Sequence, residues 1–329
     1  MAGKQLSLPQ LSHKRIQQLL KNRSLENLEL INKVEKELNM LRGYVFEMPQ
    51  FESSVILLLS GGLDTVIMWD ILMRKYKLHV YPVFLRRGQI RMPLEENSVD
   101  FFSKYYAKQY PDLFHPPKKL TTFIPPLEIR WDITKFGTYL INDNLECRGI
   151  PMYSSLLINY AVQYSYYLEI NTAIKARTIF CGFMKGDGNN IRYETLTALR
   201  VNTFNVIHLT GDYSWQITSL ALEKELGYFF NKEALIRYAS IYQIPIEHTF
   251  SCIKYSYYHC GKCIYCEGRK KIFKRSGIND KTIYLNESKI PLVAQIVNKI
   301  KLISRTVIFL VSILYDIGTN FIYFLKYRY

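Results

Sequence analysis

At 329 residues and 48% hydrophobic content, the chain has enough apolar material for one large α/β domain or two small ones, which excludes a disordered chain. The net charge of +15 is uneven: residues 251–329 carry fourteen Lys/Arg against four Asp/Glu, while residues 51–250 are nearly neutral. A basic end of this kind suits nucleic acid, an anionic substrate, a membrane surface or simply a solvated face. Six cysteines, with no apolar stretch after Met1-Ala2-Gly3-Lys4 to serve as a signal peptide, argue against a disulfide framework and for a cytoplasmic location with reduced thiols.

Residues 1–50 read as a helical N-terminal extension. Leu25, Leu28, Ile31, Val34, Leu38 and Leu41 recur at three- and four-residue spacing, Ser24 is the expected cap, and Pro49-Gln50 marks the junction. The apolar stripe favours packing on the chain's own domain over packing on a partner. Residues 51–247 read as an α/β domain. Val55 to Leu59 is a buried strand ending in Ser60-Gly61-Gly62, and Asp64-Thr65 opens an amphipathic helix running to Lys75. Glycines let backbone N–H groups approach an anion, and the helix start adds unpaired donors and the positive end of its dipole. A second strand is expected over Leu78–Leu85, with Arg86-Arg87-Gly88-Gln89 at its carboxyl end, where ligands of open α/β sheets collect.

Further along, a helix is expected from Leu94 to Gln109, a short strand over Leu120–Ile124 and a buried helix from Tyr153 to Ala176. Thr178 to Phe183 reads as a strand running into the turn-rich loop Met184–Asn190. Another strand is expected over Asn205–Leu209, then helices over Ser214–Gly227 and Lys232–Tyr242. Strands alternating with helices predict a doubly wound, mostly parallel sheet covered on both faces.

Residues 248–285 hold a cysteine segment, in which Cys252, Cys260, Cys263 and Cys266 give C-x7-C-x2-C-x2-C. Two-residue spacers let thiolates converge on one ion, and four thiolates suit a tetrahedral zinc with no position open to water, hence a structural one. An iron–sulfur cluster is the alternative. His259 is surplus to such a site, and Cys147 and Cys181 read as core residues. The tail, 286–329, is basic and apolar. Its 306–325 window is long enough to span a bilayer, but Asp316 and Asn320 favour packing on protein over membrane contact.

Ser60-Gly61-Gly62-Leu63-Asp64-Thr65 resembles the SGGxD[ST] signature of the PP-loop ATP pyrophosphatases; no Lys follows the glycines, so it is not a GxxxxGK[ST] P-loop. Loop and cysteines together resemble the QueC-like 7-cyano-7-deazaguanine synthases. The matching residues are Ser60 to Thr65, Gly88-Gln89, Asn231-Lys232-Glu233, Ser251-Cys252, and Cys260-Gly261-Lys262-Cys263 with Cys266 and Arg269. The resemblance implies an adenine nucleotide alpha hydrolase-like fold with a small zinc subdomain, and an ATP-dependent carbon–nitrogen ligase using ATP, Mg2+ and Zn2+. It implies ATP contacts from Ser60, Gly61, Gly62, Leu63, Asp64, Thr65, Gly88 and Gln89. Asp64, Lys185, Asp187 and Lys232 are the catalytic candidates around an acyl-adenylate, and the implied substrate is a 7-deazapurine carboxylate attacked by ammonia. A homodimer is compatible with it.

Two segments depart from the family. Ile150-Pro151-Met152 is followed by Tyr153-Ser154-Ser155 where Arg-Asn-Thr is usual, and Asp187 is followed by Gly188-Asn189-Asn190-Ile191-Arg192-Tyr193-Glu194 where Tyr-Pro-Asp-Cys-Arg is usual. Both shape the deazapurine pocket in the family. The alternative is therefore a relative of the QueC-like enzymes of antiphage clusters, joining an adenylated acid to a protein or nucleic-acid amine. A tRNA sulfur-transfer enzyme and a non-catalytic nucleotide- and zinc-binding scaffold complete the range.

Overall fold

The structure is a computed structural model that describes residues 8–89, 91–130, 138–140, 146–148, 150–189, 191–253 and 258–285. Strand β1 (Ser54–Leu59) lies at its centre because both of its faces are apolar: Val55, Leu57 and Leu59 enter one core, and Ile56 and Leu58 the other. It pairs in parallel with β2 (His79–Arg86) on one side, which pairs with β3 (Lys118–Thr121). On its other side it pairs with β6 (Thr178–Phe180), and β6 with β7 (Gln216–Thr218). The order β3-β2-β1-β6-β7 reverses direction between β1 and β6, and the crevice at their carboxyl ends is where such sheets bind ligands. A short antiparallel pair, β4 (Thr138–Leu140) and β5 (Glu146–Arg148), stands apart from the sheet.

One face is covered by α3 (Leu63–Arg74), α4 (Met92–Gln109) and α7 (Lys232–Ile241), which bring Trp69, Phe102 and Leu235 into the core. The other is covered by α1 (His13–Lys21), α2 (Leu28–Arg42), α5 (Tyr153–Thr172) and α6 (Leu196–Thr210). The first two helices are thus part of the sheet's covering. They are locked there by charge as well as apolar packing. Buried Arg200 of α6 donates to Glu35 of α2 at 2.9 Å and to Glu223 at 2.7 and 3.0 Å, and Lys224 pairs with Glu35. With two carboxylates around it, Arg200 holds its proton more tightly than usual despite burial.

Four expectations are corrected. Asn205–Leu209 is not a strand but the last third of α6, whose start is capped by Thr195 Oγ1 accepting from Ala198 N at 3.1 Å. Leu196, Leu199, Thr203, Val206 and Ile207 are buried at helical spacing, so tertiary burial overrides the β-branched run. Ser214–Gly227 is not a helix: it holds β7 and two 3-10 turns, Leu220–Leu222 and Lys224–Leu226. The helix from Tyr153 stops at Thr172, where Ala173 turns left-handed with φ 59°. The N-terminal stretch is two helices, capped by Ser12 and Asn27 and not by Ser24. No helix among the described residues is long and apolar enough to cross a membrane, and the tail from residue 286, with its 306–325 window, lies outside them.

Candidate active site

The turn after β1 is built by its own side chains. Ser60 Oγ lies 3.1 Å from Thr65 Oγ1, Gly62 N donates to Ser60 Oγ at 3.2 Å, and Ser60 N donates to Thr65 Oγ1 at 3.2 Å. Gly61 has φ 73°, and a Cβ there would stand 2.4 Å from the carbonyl oxygen of Glu95. Gly182, after β6, is equally required, since its Cβ would meet Thr65 Cγ2 at 2.3 Å. No side chain caps α3 at Gly62, so its first N–H groups face the crevice without an internal partner. Leu63 and Thr65 are buried in the first turn of α3.

Gly88 and Gln89 sit one strand away, at the end of β2. Gln89 Nε2 donates to Glu95 Oε2 at 2.6 Å, which ties them to the residue whose backbone abuts Gly61. Arg87, also paired with Glu95 at 3.3 Å, stacks over the Tyr153 ring at 5.3 Å, and Tyr153 meets Tyr193 at 5.7 Å. The two segments that depart from the family therefore touch one another beside the crevice.

Asp64, Asp187 and Lys232 are brought together. Lys232 Nζ lies 2.9 Å from Asp64 Oδ2 and 3.3 Å from Asp187 Oδ1. Burial alone would lower the Lys232 pKa, but the two carboxylates outweigh it and hold the lysine charged. Burial pushes the Asp64 carboxyl up against the pull of Lys232, and its Oδ1 is buried without a hydrogen-bond partner. Glu194 joins this group. Burial, Asp187 and Asp64 raise its pKa to about 8 against Lys232. Sequence reasoning did not single it out: it lies seven residues beyond Asp187 in a turn of 3-10 type, where no periodicity signals which way a side chain faces. Among the described residues, Lys185 pairs with none of these carboxylates. It lies over the Phe229 ring at 5.3 Å, and burial and then the nearby Arg23 and Arg15 lower its pKa.

The four cysteines converge, with every Sγ within 4.8 Å of the others and the pairs 252–263 and 260–266 both at 3.9 Å. Four thiolates around one zinc at a bond length of ~2.3 Å stand about 3.8 Å apart, so this group could hold a metal ion. Burial would raise the Cys263 thiol, but N–H groups of Ile253 and Cys266 bring it down to about 6. His259 turns away from the sulfurs: its Nε2 accepts from Ser251 N at 3.2 Å, and burial lowers its pKa to about 3, so the ring is neutral. Cys181 is a buried core residue, and burial pushes its thiol up to about 12; the side chain of Cys147 lies outside the described residues.

The cysteine segment also touches the loop. Phe250 N donates to Gly61 O at 3.0 Å, and Leu94 of α4 packs with Phe250 and Cys252. Arg269 of α8 (Ile264–Ser276) fixes the segment from inside, donating to Thr282 Oγ1 and Thr249 Oγ1 at 2.9 Å each and to Ile246 O at 2.7 Å. A cleft of about 360 Å³ near Tyr44, Ser54 and Gln216 opens at the amino ends of the strands, away from all of these groups.

The pattern of the family described as queuosine biosynthesis protein QueC matches residues 130–277, a span that holds Asp187, Lys232 and all four cysteines. A 7-cyano-7-deazaguanine synthase 1 from Desulfitobacterium hafniense is 25% identical over 226 residues, 67% of this chain and 91% of that protein. These similarities support a divergent QueC-like member. A second 7-cyano-7-deazaguanine synthase 1, from Sulfurisphaera tokodaii, is 50% identical over 40 residues, 12% of this chain and 20% of that protein. Among solved structures, the U34-tRNA thiolase NcsA from Methanococcus maripaludis with its [4Fe-4S] cluster is similar at a TM-score of 0.31 and 13% identity, covering 74% of each chain.

Proposed function

We propose that the chain is an ATP-dependent ligase of the 7-cyano-7-deazaguanine synthase kind, activating a deazapurine carboxylate for attack by ammonia. One observation carries this reading: an uncapped helix start on a glycine turn at the reversal point of the sheet, facing Lys232 held between Asp64 and Asp187. The substrate carboxylate attacks the α-phosphorus of ATP. The bond to the β-phosphate bridging oxygen breaks, and pyrophosphate leaves against the N–H groups at the start of α3, Leu63 to Thr65. Ammonia displaces AMP from the acyl carbon to give the amide. A second adenylation, on the amide oxygen, followed by loss of AMP and a proton gives the nitrile.

Lys232 orients Asp64 and Asp187 and offsets the charge that develops beside them. Asp64, with its buried unpaired Oδ1, is the residue suited to hold magnesium, which neutralises pyrophosphate charge when bound. Tyr153, Tyr193 and Arg87 supply the flat, cationic wall that a purine-like ring would stack on. Zinc is the metal we assign to the four cysteines. Their sulfurs crowd around one point, whereas the cysteines of an iron–sulfur cubane each bind a different iron and stand farther apart. With four protein ligands the metal is structural.

The test is pyrophosphate release by metal-loaded protein with ATP, magnesium and 7-carboxy-7-deazaguanine, with and without ammonium, products read by mass spectrometry. Carboxylate-dependent pyrophosphate and AMP, and the nitrile with ammonium, are expected. Absence of pyrophosphate release overturns the reading. Release without nitrile moves the acceptor to a protein or nucleic-acid amine.

A further inference from the structure

Arg23 lies in the turn between α1 and α2, outside the residues matched by the QueC pattern. Its side chain is only 7% exposed, yet none of its three guanidinium nitrogens makes a hydrogen bond. Its nearest carboxylate is Glu26, at 3.5 Å. Glu26 is already committed: it accepts from Leu196 N and Thr197 N at 3.0 and 2.9 Å and from Thr197 Oγ1 at 2.6 Å, satisfying the N-terminus of α6. A buried guanidinium has five donors and is costly to leave unpaired.

A second cation stands beside it. Arg23 and Lys185 flank the same Phe229 ring, at 5.4 and 5.3 Å from its centroid. No carboxylate among the described residues pairs with Lys185, and Asp187, two residues on, is taken by Lys232. Burial lowers both pKa values, against Glu26 and Asp187 for Arg23, and Arg23 lowers that of Lys185 further. Among the described residues the two cations thus have one paired acid between them, Glu26, whose oxygens are already taken by the start of α6, and Lys185 stands half-buried in the loop after β6.

We propose that Arg23 and Lys185 form an anion subsite, contributed in part by the N-terminal helices, that receives an oxyanion group, phosphate or carboxylate, of a second ligand bound beside the nucleotide. A planar guanidinium matches either group with two parallel hydrogen bonds, and the lysine adds a point charge. The subsite stands whether or not a deazapurine is the acid that is activated.

Calorimetric titration of the full-length, metal-loaded protein tests it without turnover. Inorganic phosphate and benzoate are the probes, each added after the loop has been saturated with a non-hydrolysable ATP analogue. Wild type is expected to bind one probe, and which one identifies the group. Arg23→Gln and, separately, Lys185→Met are expected to weaken that probe about tenfold or more, with Arg23→Lys partly restoring it. The melting temperature of Arg23→Gln without anion is expected to fall, because buried Glu26 loses its cation, so the deciding readout is probe affinity and its partial return in Arg23→Lys. Binding of neither probe by wild type overturns the subsite, as does unchanged affinity in both variants. Loss of the response on adding the ATP analogue overturns it too, because the cations would then serve the nucleotide's own phosphates. A lower melting temperature with unchanged affinity would make Arg23 a support for Glu26 only.

Discussion

The two sides of the crevice are made of different material. After β1, the anion cradle is backbone: glycine conformations, a helix start without a cap, and two hydroxyls that brace the turn, all within Ser60–Thr65. After β6, the surface is side chains drawn from distant segments, with Asp187 and Glu194 in one loop, Lys232 at the start of α7, and Asp64 reaching across from α3. A backbone cradle tolerates no added atoms but has no charge to balance. A side-chain cluster tolerates changes of shape but must keep its charges matched. The loop is also supported from outside by Phe250 and the cysteine segment, so substitutions can separate the cradle from its support and both from the charged side.

The largest effect is expected where the support is removed. Cys263→Ser takes one ligand from a closed four-thiol group, and a structural metal contributes folding free energy directly, so about 5 kcal/mol or more should be lost together with the bound metal. Metal analysis and thermal melting of the same sample check this. If metal is lost while the melting temperature holds, the cysteine segment does not support the loop.

Lys232→Met attacks the other side. It leaves Asp64, Asp187 and Glu194 facing one another without a cation, which should cost about 3 kcal/mol of stability and roughly 100-fold in pyrophosphate release, with metal content unchanged. A variant with normal release would remove Lys232 from the chemistry and leave it a structural ion pair. Gly61→Ala comes next, at about 2–3 kcal/mol: a left-handed residue gains a Cβ that would stand 2.4 Å from a backbone oxygen. Melting should show the smaller loss, but nucleotide binding should fall further than in Lys232→Met, because the cradle itself is displaced. Nucleotide affinity that survives Gly61→Ala would place the phosphates elsewhere.

The same contrast explains what could be read before the structure was known. The cradle was legible because its physics is local: strand, glycines and helix start follow one another in ten residues, and so do three of the four cysteines. The parallel α/β sheet followed from alternation of period two with period 3.6. On the charged side, Asp64, Asp187 and Lys232 were candidates from the sequence and the structure puts them side by side, while Lys185 lies over Phe229, and neither Glu194 nor Arg23 was singled out. Their surroundings depend on burial and on neighbours from separate elements, such as Asp64 and Lys232 for Glu194 and Phe229 for Arg23, which no spacing rule encodes. The misread stretch from Asn205 to Gly227 failed for a related reason. Val206-Ile207 has a β-branched look, but burial against β7 and a cap at Thr195 decide for a helix.

The effect confined to a pH window belongs to Glu194. Its folded pKa, about 8, lies above the ordinary glutamate value near 4.3, so the folded chain takes up a proton that the unfolded chain has already released in the window between the two. That contribution is fully present below about pH 4.3 and is lost as pH rises through about 8. Wild-type stability should therefore slope downward between pH 5 and 8.5, on top of the slow changes of the remaining groups. Glu194→Gln keeps the shape and removes the proton, so its curve should be flatter and it should become the more stable of the two above pH 8. Melting curves of both proteins at pH 5, 6.5 and 8.5 decide it. Parallel curves would mean that Glu194 is ionised throughout, with Lys232 neutralising it alongside Asp64 and Asp187. The charged side would then carry three acids on one lysine at neutral pH, and the demand for a bound cation beside Asp64 would rise accordingly.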